Sequence, residues 1–133
     1  MKQQFAIKTN KEKEIIPITE EINGRLAKIK ADNGIVHLQV MHTTSALTTA
    51  DLDPGTDDDY LDAIDKMFPN GNWNHPHDPG HVGDHIMSSI IGPSVVLDVT
   101  DGKLELGTWQ EVVLVELSGP RTRKISMTFI SSQ

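Results

Sequence analysis

The stretch SVVLDVTDGKLEL, residues 94–106, sets two apolar runs around Asp101-Gly102. An Asp-Gly pair suits the tight turn whose twist matches antiparallel strands, so this segment predicts a hairpin. Further along, WQEVVLVEL and RKISMTFIS flank SGPRT, which predicts a second turn between strands. Upstream, IVHLQVM alternates, with Val36, Leu38 and Val40 on one side and His37, Gln39 and Met41 on the other. That is the pattern of a half-buried strand. QQFAIKT, residues 3–9, predicts a further strand.

Three helical patterns interrupt the strands. ITEEINGRLAKIKADNG predicts a helix with Thr19 as N-cap and Gly34 just past its end. Its Ile22, Leu26 and Ile29 share one face. DLDPGTDDDYLDAID, residues 51–65, holds seven aspartates. Thr56 with Asp59 matches a capping box, and Asp57 and Asp58 lie where a helix dipole favours negative charge. Tyr60, Leu61, Ile64, Met67 and Phe68 then form an apolar stripe. A cation site is the alternative, although the order of ligands does not match an EF-hand loop. VGDHIMSSIIG predicts a short helix stopped by Gly92-Pro93. The expected fold is α+β: a single compact domain over residues 1–133, mainly antiparallel sheet with about three helices.

At 133 residues, 37% apolar and 23% charged, the chain has the make-up of one ordinary globular domain. The net charge of −7 argues against general nucleic-acid binding, which depends on Lys and Arg. GPRTRK, residues 119–124, is a basic island where a phosphate ester could still dock. Cysteine is absent, which removes disulfides and thiolate metal sites. No apolar run suits a membrane helix or a signal peptide, so the cytoplasm is the expected location.

His42 is followed by Thr43, Thr44 and Ser45. It shares parity with Val36, Leu38 and Val40, so a continued strand would turn its ring inward. A hydrogen-bonded core histidine and a ligand-binding one fit that position equally. NWNHPHDPGHVGDH, residues 72–85, holds four of the six histidines. The spacing of His75, His77, His81 and His85 permits a metal site, and a polar loop is the alternative. With His42 added, the imidazoles would suit Zn²⁺ or a similar ion, with Asp78 and Asp84 behind them. Arg121 and Arg123 differ by two, so on a strand they share a side and could clamp a phosphate. A solvated hairpin end is the alternative.

Taken together, HTTSA, the helix-borne His before SSIIGPS, GTWQ and the E-x-x-GPR-x-R run resemble the YjbQ family, UPF0047, in order and spacing from Ile35 to Phe129. The resemblance implies a compact α+β protomer, a homotrimer, and sites near subunit contacts. It implies His42, His75 and His85 as site residues; of the other two loop histidines, His81 is expected as a helper and His77 as an exposed loop residue. Trp109, Gln110, Glu116 and Arg121 complete the matching positions. Where relatives carry an Asn-Glu pair, this chain has Ala50 and Asp51; either Asp51 replaces the carboxylate with a shorter reach, or this branch has altered its site.

The family's functional name, secondary thiamine-phosphate synthase, implies a transferase acting on phosphorylated metabolites. Such chemistry needs a cationic or metal-assisted clamp on a leaving diphosphate and a pocket for a cationic intermediate. Arg121 and Arg123 are expected to hold the phosphate with Thr43, Thr44 and Ser45, and Trp109 to stack on the cation. His42 or His85 could transfer the proton. Catalytic roles are expected at His42, Asp51, Trp109, Gln110 and Glu116, and a divalent zinc or magnesium ion at the histidines. A trimer that binds a metal or phosphometabolite without turnover is the alternative function.

Overall fold

The computed structural model describes residues 1–68, 73–75 and 82–132. Its organising element is β7 (Glu111–Glu116), whose near-continuous apolar run is buried on both faces. Side chains alternate along a strand. Val112 and Leu114 therefore enter one hydrophobic cluster, and Val113 and Val115 enter another. β7 lies between β2 (Glu14–Pro17) and β4 (Ser45–Ala50), antiparallel to both.

The second sheet has five strands in the order β1-β8-β3-β5-β6, all antiparallel. These are β1 (Lys2–Lys8), β3 (Gly34–Val40), β5 (Ser94–Thr100), β6 (Lys103–Leu104) and β8 (Thr122–Ser131). The Asp101-Gly102 hairpin forms as expected, with φ of 51° and 80° at its two central residues.

The expected turn at SGPRT is not a hairpin. β7 and β8 belong to different sheets, and the intervening residues carry the chain from one to the other. Both sides of β7 are already occupied by β2 and β4. β8 instead matches apolar residue to apolar residue against β3, with Leu38 opposite Met127 and Val40 opposite Ile125.

The first cluster fills the space between the sheets and takes Ile22 and Leu26 from α1 (Thr19–Lys28). The second lies on the other face of β7 and is covered by α2 (Thr56–Met67) and α3 (Val82–Ile91). The α2 stripe packs only loosely: none of its residues is fully buried, and a cavity of about 410 Å³ separates it from Met87, Val113 and Val115.

Both expected helix caps shift by one residue. Ile18 occupies the N-cap of α1 and Gly55, at φ 89°, that of α2, with no side-chain cap at either. The Thr19 hydroxyl is used elsewhere: it donates to Glu111 and accepts from the Val112 amide at 3.0 Å. The α1 helix closes on Lys30 at φ 55°, where the Ala31 amide reaches the Leu26 carbonyl at 3.0 Å. That is a Schellman-type ending on a non-glycine residue. Gly34 has a different task, since a Cβ there would lie 2.1 Å from the Ile130 carbonyl oxygen.

Candidate functional site

β3 stops at Val40, so the parity argument for His42 does not carry through. Residues 41–44 form a bend against β8 instead. The Met41 amide donates to the Lys124 carbonyl at 3.1 Å, and the Lys124 amide donates to His42 Nε2 at 2.9 Å. The ring is half-buried, neither a core histidine nor a free surface one. It lines a cavity of about 390 Å³ together with Thr43, Ser45, Ser88, Ser89 and Pro93. Ser45 and Ser88 are 1% and 5% exposed, yet their hydroxyls have no hydrogen-bond partner among the described residues. Buried polar atoms are normally bonded, so two unpartnered hydroxyls in one cavity single it out as the candidate site. Burial holds the His42 pKa below the ordinary histidine value, and the Arg123, Lys124 and Arg121 charges add to that against Glu116.

Beside this cavity lies a buried polar network. Glu116 accepts from Arg123 Nε at 2.7 Å, from the Thr9 hydroxyl at 2.9 Å and from the Ser118 amide at 3.0 Å. Arg123 Nη2 bonds Glu116 Oε1 and donates to the Thr44 hydroxyl at 2.9 Å and its carbonyl at 3.1 Å. Burial pushes the Glu116 carboxyl up, but the bonds from Arg123, Ser118 and Thr9 outweigh it and hold the group below its usual range. Glu116, expected among the catalytic groups, has both oxygens engaged inside the protein. Its evident work is to hold Arg123, which in turn holds Thr44.

The two-arginine clamp does not form. β8 begins at Thr122, so Arg121 lies outside the strand, exposed, with Nε donating to the Ser118 carbonyl at 2.7 Å. Arg123 is 2% exposed and committed to Glu116. Of the two arginines, Arg121 is the one exposed to meet a ligand.

His75 and His85 come together, with ring centroids 4.8 Å apart and planes inclined by 30°. Trp73 is partly exposed nearby in sequence. His77, His81 and Asp78 lie outside the described residues. Asp84, expected behind the histidines, is buried and accepts from Lys13 Nζ at 2.9 Å. Among the described residues, no three His, Cys, Asp or Glu side chains gather around one point. The expected centre of His42, His75 and His85 is therefore not assembled within them. The donor pair suits a zinc-type ion in kind but falls short of the three protein ligands typical of catalytic zinc.

Asp51, Trp109 and Gln110 form a separate group. Gln110 Nε2 donates to the Thr49 hydroxyl at 3.1 Å, and its Oε1 accepts from the Gly107 amide at 3.0 Å. Asp51 accepts from the Asp53 amide at 3.0 Å, and Trp109 is 71% exposed. In the β4–β7 ladder, Ser45 faces Glu116 at one end and Ala50 faces Glu111 at the other. Five strand steps at about 3.4 Å put roughly 17 Å between these ends. Glu116 and Ser45 thus lie at one end of this strand pair, and Asp51 and Gln110 follow and precede its other end.

Sequence reasoning missed Ser88, Thr9 and the Lys124 amide. Ser88 follows His85 by three positions on α3, a spacing that places both on one helix face and was available as a signal.

A family model described as UPF0047 protein YjbQ-like matches residues 3–132. The chain belongs to the YjbQ family. A UPF0047 protein of Methanocaldococcus jannaschii is 35% identical over 131 residues, covering 98% of this chain and 94% of the relative. UPF0047 protein YugU of Bacillus subtilis is 35% identical over 127 residues, covering 92% and 94%. Among solved structures, a hypothetical protein from Aeropyrum pernix superposes with a TM-score of 0.91 at 30% identity, covering 99% of both chains. A YbjQ-like protein of unknown function from Sulfolobus solfataricus gives a TM-score of 0.91 at 29% identity, covering 99% of this chain and 97% of that one. These relatives share the YjbQ fold across essentially the whole chain. No helix among the described residues is long and apolar enough to cross a membrane.

Proposed function

We propose that this YjbQ protein binds a phosphorylated small molecule at the His42 cavity and acts on it as a thiamine-phosphate-synthase-like transferase. One observation carries the reading. His42 shares its cavity with Ser45 and Ser88, two buried hydroxyls without a partner among the described residues, and the nearby Arg123, Lys124 and Arg121 act with burial to lower its pKa. An oxyanion placed there meets those hydroxyls and gains from the positive charge around it, and the exposed Arg121 is the arginine left to meet a leaving diphosphate. In the reaction, the carbon–oxygen bond to diphosphate breaks as the thiazole nitrogen bonds the same carbon. A divalent ion held by His75 and His85 would supply further neutralisation of the diphosphate, and no step above depends on it.

Trp109, Gln110 and Asp51 are too far from His42 within one chain to act on the same small ligand. A homotrimer is the arrangement we propose for bringing such groups to the cavity of a neighbour. Sedimentation of the purified chain tests the assembly, and diphosphate release from an aminopyrimidine methyl diphosphate tests the chemistry. The expected result is release that falls at least tenfold in Arg121→Ala, since a charge-assisted bond contributes about 1.5–3 kcal/mol. Binding of inorganic diphosphate without any release would select the second reading, a binding protein without turnover. An unchanged rate in both Arg121→Ala and His42→Ala would overturn the assignment.

A further inference from the structure

We propose that His42 is a neutral hydrogen-bond donor, offering Nδ1–H to a phosphate oxygen, and that Ser45 and Ser88 complete the same oxyanion subsite. The ligand half of this inference rests on the function proposed above; the state of the ring does not.

The argument starts from the Lys124 amide, which donates to His42 Nε2 at 2.9 Å. An acceptor nitrogen must carry its lone pair, so the proton of the neutral ring is on Nδ1. Nδ1 has no hydrogen-bond partner among the described residues. The amide that fixes the ring is itself held, because the carbonyl of the same residue accepts from the Met41 amide at 3.1 Å. Both backbone groups of Lys124 therefore grip the 41–42 bend.

This arrangement separates the roles a histidine can play. A general base needs a lone pair facing the proton it takes, and a metal ligand needs one facing the ion. Here the lone pair is occupied by an amide, and the other nitrogen is a donor. His42 can then act only as a donor unless the Lys124 bond breaks. Electrophilic work by a neutral imidazole is established chemistry for enzymes.

Two further donors share the cavity. Ser45 comes from β4 and Ser88 from α3, both more than nine-tenths buried and both with unpartnered hydroxyls among the described residues. Among the described residues, no Lys or Arg lines the cavity. Its wall therefore offers neutral donors, while positive charge acts from Arg121, Arg123 and Lys124 at a distance. Several neutral donors set in a positive field fit a phosphate group, whose oxygens are strong acceptors in either ionisation state.

The test has two arms on the full chain. In the first, long-range proton–nitrogen correlation spectra of the ¹⁵N-labelled protein without ligand read the His42 tautomer. The expected result is a pyrrole-type Nδ1 and a pyridine-type Nε2. The opposite assignment overturns the donor role. In the second, calorimetry with inorganic phosphate compares wild type with His42→Asn, His42→Gln, Ser45→Ala and Ser88→Ala. Asparagine puts an N–H near the place of Nδ1, and glutamine puts one near that of Nε2. We expect His42→Asn to retain binding that His42→Gln loses, and each serine variant to weaken it about 5- to 10-fold. Equal loss in Asn and Gln variants with unaltered serine variants overturns the subsite. Wild-type protein that fails to bind phosphate or diphosphate overturns the function proposed above and the subsite with it, whereas phosphate binding by an Nε2–H ring overturns this inference alone. The serine arm stands independently if a His42 variant does not fold.

Discussion

Glu116 at the end of β7 and Arg123 near the start of β8 join the two sheets through a fully buried ion pair, with Arg123 Nε 2.7 Å from Glu116 Oε2. Burying two charges is costly, and it is tolerated where their remaining donors and acceptors are satisfied. Thr9, Ser118 and Thr44 do that here. Removing one partner strands the other, so Glu116→Ala should lose about 3–5 kcal/mol of stability in urea unfolding. Replacing both residues with Leu and Met should recover most of that loss. A Glu116→Ala protein as stable as wild type would show that the pair does not tie the sheets.

The same carboxylate sets an acid limit. Its folded pKa lies below the usual value of 4.5, because the Arg123, Ser118 and Thr9 bonds outweigh the effect of burial. As pH falls, the unfolded chain therefore takes up this proton first, and stability drops with pH. The contribution is complete above about 4.5 and is lost as pH falls through the depressed folded value. Urea midpoints between neutral pH and pH 3 should show this slope, and Glu116→Gln should remove its share of it.

Ser88→Ala should separate stability from binding. An unpartnered buried hydroxyl contributes nothing favourable and carries a desolvation penalty of about 1–3 kcal/mol. The variant should melt at or above the wild-type temperature while binding phosphate less well. A clear drop in melting temperature would mean that the hydroxyl has a structural partner after all.

Gly34→Ala should be among the more damaging one-carbon changes outside the site. The added Cβ would lie 2.1 Å from the backbone oxygen of Ile130, which cannot rotate away as a side chain could. Parting β3 from β8 at this point should cost about 1–3 kcal/mol, read as a lower urea midpoint.

Local signals in the sequence were read well where one element decides its own conformation. The alternation of Val36, Leu38 and Val40 located β3, Asp101-Gly102 located a hairpin, and Gly92 ended α3. What failed needed knowledge of partners. SGPRT has the length of a hairpin loop, but pairing depends on which strands are already occupied. β2, EIIP, is four residues ending in proline, and β4, SALTTA, is rich in small hydroxyl residues. Neither carries an apolar period long enough to announce itself. Thr19 looks like a cap, yet its hydroxyl is claimed by β7, a segment more than ninety residues away. The site shows the same division. His42 and the hydroxyls after it were visible as a group, and so were His75 and His85 as candidates, although their spacing alone left open whether the rings converge as they do. The opposite fates of Arg121 and Arg123 were not, because only the start of β8 decides which one is buried.

Among the described residues, β1 has a single strand neighbour, β8, with Lys2 paired to Thr128 and Lys8 to Thr122. During synthesis, β1 (Lys2–Lys8) is made more than a hundred residues before β8 (Thr122–Ser131), its neighbour. Closing so long a loop is slow, and the waiting strand presents unpaired backbone meanwhile. The three-stranded sheet waits almost as long, because its central strand is β7. The decisive step of folding is accordingly the arrival of β8, and the yield in cells should depend on what shelters β1 and the other early strands until then.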